Sequence, residues 1–147
     1  MRERSEIDER PDVLTYETEP FTAPTTLAGE VELTLAARAD QLCFDVAATL
    51  SHVDANGRAF NLTQGHRRVE PGESGSIRIE MRALLATLRE GDRLRLSLAG
   101  AAFPAFAVNP GTGATPADAR LIDNRVITLF VTSGGDAPTR LWLPILG

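Results

Sequence analysis

Phe44-Asp45-Val46-Ala47-Ala48-Thr49-Leu50-Ser51-His52 alternates without a break. Phe44, Val46, Ala48, Leu50 and His52 fall on one side, with Cys43, Asp45, Ala47, Thr49 and Ser51 on the other. A period of two places successive side chains on opposite faces of an extended chain, so this stretch predicts a strand with one face turned inward. The same rhythm recurs on either side of it. Val31, Leu33, Leu35 and Ala37 alternate with Glu32, Thr34, Ala36 and Arg38. Ile77, Ile79 and Met81 alternate with Arg78, Glu80 and Arg82, and Leu94, Leu96 and Leu98 with Arg93, Arg95 and Ser97.

Turn signals separate these runs: Asp54-Ala55-Asn56-Gly57, Pro71-Gly72, Glu90-Gly91-Asp92 and Ser133-Gly134-Gly135-Asp136. Asp54 to Gly57 resembles the start of a calcium loop, but the later ligands and terminal Glu are missing, and Asn-Gly between two strands reads as a hairpin turn. Val126 to Val131 is apolar on both sides, as expected of a strand covered on both faces. Arg82 to Arg89, where Leu84, Leu85 and Leu88 share a helical face, is the one candidate helix. Many short strands, regular turns and almost no helix predict an all-β fold, an antiparallel β-sandwich of jelly-roll kind.

Composition narrows the function. A chain of 147 residues fits one domain with a substantial core, and 43% hydrophobic against 24% charged residues is the balance of a folded protein. The cations are all arginine, and a net charge of −5 argues against a nucleic-acid or anionic-membrane surface, which needs concentrated positive charge. A single cysteine, Cys43, excludes an internal disulfide and a Cys-rich zinc site. No apolar run approaches the ~20 residues of a membrane-spanning helix. Residues 1–9 are charged, lack the apolar stretch of a signal peptide, and read as an extension or linker ahead of one domain over 10–147.

Gly72-Glu73-Ser74-Gly75-Ser76 comes nearest to a nucleophile elbow, but its last Gly is one place early and a strand follows, so it reads as a loop. His52, at the end of a strand, and His66, in an Asn61-to-Arg68 loop, form no metal-ligand spacing with Cys43 and read as ordinary surface or loop histidines. Gly111-Thr112-Gly113 lacks the third Gly and the helix of a dinucleotide loop. No catalytic residue, metal ligand or cofactor-binding residue is therefore expected. Two surface features remain. Arg78, Arg82, Arg93 and Arg95 would form an arginine ridge if their strands pair. The tail Leu141 to Leu146 is apolar on both faces, so a partner covers one side or the tail lies between two sheets.

Several segments, in order, resemble one domain: the C-terminal β-sandwich of the X-Pro dipeptidyl-peptidase and cocaine-esterase class of α/β-hydrolases. They are Arg10 to Tyr16 with Thr18-Glu19-Pro20-Phe21, then Asp54 to Gly65, Glu90 to Leu96, Phe103 to Gly113, and Leu141-Trp142-Leu143-Pro144-Ile145. The chain departs from the pattern where His66 to Ser74 is compressed, at Gly91-Asp92-Arg93, and at Ala105 and Ala107 of the Phe-Pro loop. The resemblance implies a galactose-binding-like jelly roll joined to a separate α/β-hydrolase catalytic domain of the same polypeptide. The catalytic triad of such enzymes lies in that other domain, upstream. It further implies a supporting role that shapes access to the active site, with homo-oligomers compatible. Candidate interdomain contacts are Trp142, Phe103, Phe106, Asn109, Arg93 and Arg95. A stand-alone carbohydrate- or partner-binding module is the alternative, disfavoured by few aromatics. The expected location is the cytoplasm, with export open to a parent chain carrying a signal peptide upstream.

Overall fold

The computed structural model describes residues 3–73, 75–136 and 139–147. The alternating stretch becomes β4 (Phe44–Val53), the strand around which one sheet is assembled. It pairs antiparallel with β5 (Ala59–Val69) on one side and β7 (Arg93–Ala99) on the other, and β7 in turn carries β1 (Val13–Glu17). This four-stranded sheet has the order β1-β7-β4-β5. β4 and β5 form a hairpin as the Asn-Gly signal requires. Asp54 accepts hydrogen bonds from the N–H groups of Asn56 (2.9 Å) and Arg58 (3.0 Å), and Gly57 takes a φ of +83° that side chains disfavour.

The second sheet is three-stranded, with β2 (Thr25–Leu35) between β6 (Ile77–Leu88) and β9 (Arg140–Trp142). Short β3 (Ala37–Ala39) and β8 (Leu129–Val131) pair separately, and α1 (Ser5–Asp8) is a four-residue helix near the start. The two main sheets bury their alternating residues against each other. Val46, Ala48 and Leu50 of β4 and Leu94, Leu96 and Leu98 of β7 form one core with Leu27, Val31, Leu33 and Leu35 of β2 and Ile77, Ile79, Met81 and Leu88 of β6. The expected all-β sandwich is what forms, and apolar burial between the sheets is its main support.

The two long edges of the sandwich differ. At one, β5 lies against β6 so closely that a Cβ on Gly65 would stand 2.7 Å from the Glu80 carbonyl oxygen and 2.8 Å from an Ile79 methyl. Thr63 Oγ1 donates to the Arg82 carbonyl across the same edge, 2.6 Å. At the other edge, β1 and β9 stand apart and leave an apolar slot of about 220 Å³ lined by Tyr16, Leu50, Leu94, Leu96 and Leu141.

Three local expectations are corrected. Arg82 to Leu88 is strand, not helix: Leu84, Leu85 and Leu88 pair with Gly29, Ala28 and Thr25 of β2. The helical look comes from a bulge, because two residues of β6, Arg82 and Ala83, oppose Glu30 alone. The inward set therefore switches from Ile77, Ile79, Met81 to Leu84, Ala86, Leu88, and a spacing of three appears inside a period of two. Within Val126–Val131 only residues 129–131 are strand, and one face is open: Val126 is 87% exposed, and Phe130 lies under the Arg38 guanidinium, 4.2 Å from ring centre to carbon. Finally, Asn61 to Arg68 belongs to β5 rather than to a loop. The candidate Ser74 lies outside the described residues.

Candidate functional site

The outer face of the four-stranded sheet is built around buried polar groups. Asp45 points outward from β4, yet it is buried. Cross-strand register sets Arg68 opposite Asp45 and His66 opposite Ala47, on the same face two residues along. Arg68 donates to both carboxylate oxygens (Nε 2.8 Å, Nη2 2.7 Å), the planar fork matching the carboxylate. Asn109 Nδ2 donates to Asp45 Oδ1 at 2.8 Å, and His66 Nε2 lies 3.3 Å from Oδ2. Burial pushes the Asp45 carboxyl up, but the bonds from Arg68 and Asn109 and the charges of Arg68 and His66 outweigh it and hold the group below the usual carboxylate range.

Asn109 belongs to the irregular chain between β7 and β8, and this clamp fastens that chain to the sheet. Its Oδ1 accepts from the Gly111 N–H (2.9 Å) and from the Cys43 thiol (3.1 Å), while Cys43 Sγ accepts from the Gly113 N–H (3.3 Å). Arg68 Nη2 donates to the Ala107 carbonyl at 3.1 Å, and the Phe106 ring stacks on His66 with centroids 3.8 Å apart. A second clamp covers the other half of the face. Asp8 of α1 is buried and accepts from Ser97 (2.8 Å), Arg95 (3.2 Å) and Arg4 (2.9 Å). The segment read as an extension thus packs onto β7.

The arginine ridge does not form, because β6 and β7 lie in different sheets. Arg78 pairs with Glu32 at 2.6 Å, Arg95 with Glu17 at 2.6 Å and Asp8 at 3.2 Å, and Arg93 with Glu17 at 3.6 Å. Arg93 and Arg95, two of the candidate contacts, are thereby engaged within the chain. Asn109 is buried in the clamp. Phe106 is half given to its stack on His66, whereas Phe103 projects freely, 75% exposed. In the tail, Leu141 and Leu143 face the core, and Trp142 stands outward at 59% exposure beside Glu32. His52 is half-buried rather than a surface group. Its Nε2 sits 2.8 Å from Asp92 Oδ2, with an alignment too bent for a hydrogen bond.

The irregular chain between β7 and β8, which the Asp45 clamp fastens, also carries exposed apolar side chains. Phe103, Leu121, Ile122 and Val126 are largely exposed, and Val108 is about half exposed. Sequence reasoning reached Phe103 through the Phe-Pro motif but passed over Leu121 and Ile122, which carry no periodic signal. It also passed over Asp45, Arg68 and Asp8. Each is an ordinary polar residue at a polar position of its strand or segment, and only the chain folding back over it makes it a clamp.

Comparison with known proteins decides the family. The family model described as the X-Pro dipeptidyl-peptidase C-terminal non-catalytic domain matches residues 3–141. The chain belongs to this family. The cocaine esterase of Rhodococcus sp. (strain MB1 Bresler) is 28% identical over 152 residues, covering 95% of this chain and 26% of that protein. Among solved structures, an aminopeptidase from a marine sediment Thaumarchaeota archaeon superposes with a TM-score of 0.89 at 21% identity, over 99% of this chain and 27% of that one. An α-amino acid ester hydrolase gives 0.88 at 22%, over 98% and 27%. A CocE/NonD family hydrolase from Staphylococcus aureus gives 0.68 at 16%, over 91% and 30%. This X-Pro dipeptidyl-peptidase C-terminal domain therefore spans about a quarter of the length of the relatives it matches. The family domain is non-catalytic, and its relatives are hydrolases.

Proposed function

We propose that this domain supports an α/β-hydrolase catalytic domain of the same polypeptide, within a serine hydrolase acting on esters or X-Pro peptides. It buttresses that domain and shapes the approach to its active site. The observation that carries the reading is the set of exposed apolar side chains on the irregular chain from Phe103 to Val126, in a family domain a quarter the length of its relatives. Exposed apolar residues gathered on one irregular stretch mark an interaction surface rather than a solvated one. A contact of standard size would bury roughly 800 Å² on each side.

Two experiments test the reading. Sequencing the coding DNA upstream of codon 1 should continue the frame into an α/β-hydrolase with a Gly-x-Ser-x-Gly elbow; an in-frame stop and a ribosome-binding site there overturn the shared polypeptide. The 147-residue chain alone should hydrolyse p-nitrophenyl acetate no faster than background. Turnover that disappears in Ser74→Ala would show a catalyst in its own right.

A further inference from the structure

We infer that Asp45 is a latch: it holds the Phe103–Gly113 chain on the outer face of the first sheet and so presets the apolar surface that this chain carries. This goes one step into the docking reading above and rests on it for the surface's purpose, though not for the latch itself. The sheet's side of the latch is Asp45 gripped by Arg68, both on paired strands and therefore fixed relative to each other. The loop's side is Asn109, whose amide nitrogen reaches Asp45 while its oxygen holds Gly111 and Cys43. Arg68 spans both, bonding the carboxylate and the Ala107 carbonyl.

Between Phe103 and Gly113 no strand ladder holds the backbone. Arg125 N–H donates to the Pro110 carbonyl at 2.9 Å and Ile127 packs beside Gly111 at its far end, while the stretch from Phe106 to Asn109 is tied to the sheet by these side-chain bonds and the Phe106–His66 stack. The groups facing Asp45 are Arg68 and His66 from β5 and the neutral Asn109 from the loop. Cys43 touches Asn109 from the chain before β4, and Glu70 stands near Arg68. Arg68 donates to both carboxylate oxygens and Asn109 to one of them, so both positions must be acceptors. An asparagine in place of Asp45 would turn an NH₂ toward at least one of these donors, donor against donor. Hydrogen bonds to a buried charge are the strong ones, and losing them frees the loop rather than merely shifting it.

Chymotrypsin reads this directly, because Phe106–Ala107 is a cleavable bond whose ring is pinned on His66 while the latch is closed. In Asp45→Asn, cleavage after Phe106 should accelerate about tenfold or more at a concentration where the sheet stays folded by circular dichroism. Amide exchange at Gly111 and Gly113 should rise with it, while exchange in β4 and β7 stays at the wild-type level. Asn109→Ala opens the latch from the loop side with the Asp45–Arg68 grip intact, and it keeps the test alive if Asp45→Asn fails to fold. Cleavage and exchange in Asn109→Ala equal to wild type overturn the latch. So does a loosening of loop and sheet together, which makes Asp45 plain core support. Because every readout uses the isolated chain, a latch that fails leaves the docking reading untouched, and a docking partner that never appears leaves the latch standing.

Discussion

Asp45 and Gly65 show how much a single residue decides here. The folded-state pKa of Asp45 is depressed, so its contribution to stability is present above the ordinary carboxylate pKa of about 4 and is lost as pH falls through the folded value. Urea midpoints should fall between pH 5 and pH 2 more steeply in the wild type than in Asp45→Asn, where this carboxylate cannot titrate; parallel curves would remove Asp45 from the acid response. Gly65 makes a different demand. Its φ is ordinary, so the constraint is space: a methyl would press on the backbone of β6, which has no flexible end to give way. Gly65→Ala should cost about 1–3 kcal/mol in chemical denaturation, as overpacking does, where Gly57→Ala would meet nothing within 4 Å and pay only for its backbone angle. Neither residue announced itself in the sequence. Asp45 sat in the polar half of an alternating run, and Gly65 read as part of a loop, because both draw their meaning from a segment distant in the chain.

At the scale of the element, β6 is the instructive case. The alternation of Ile77, Ile79 and Met81 was legible, as were β2, β4, β7 and the Asn-Gly hairpin, since a half-buried strand writes its own period. The bulge at Arg82–Ala83 broke that period and imitated a helical face. The two readings separate by mutation. A helix would bury Leu85 together with Leu84 and Leu88, whereas the strand leaves Leu85 79% exposed and Leu88 fully enclosed. Leu85→Ser should change stability by no more than about 0.5 kcal/mol, and Leu88→Ala should cost about 2–5 kcal/mol; equal losses would restore the helix. Deleting Ala83 should be tolerated as well, because it removes the surplus residue and leaves Met81, Leu84, Ala86 and Leu88 in simple alternation. A deletion variant without cooperative unfolding would mean that the bulge is required for curvature.

The whole molecule has one dressed face and one bare face. α1 and the Phe103–Gly113 chain cover the outside of the first sheet, each fastened by a buried aspartate, Asp8 and Asp45. The outside of the second sheet carries Glu32, Arg78 and Glu80 along with Leu85 and Trp142. If the docking surface is the Phe103-to-Val126 stretch, Ile122→Asp should abolish binding of the chain to its separately produced hydrolase domain in calorimetry, and Leu85→Asp on the bare face should leave it unchanged. The reverse pattern would move the contact to the second sheet. The sandwich is also unequal along its sides. At Gly65 two strands meet backbone to side chain with no room for a methyl, whereas Tyr16 and Leu141 flank an open apolar slot. A body closed along one seam and slack along the other breathes in one direction, like a book held by its spine. Among the four edge strands of the two main sheets, amide exchange should be faster along β1 and β9 than along β5 and β6; equal rates on the two sides would remove the asymmetry.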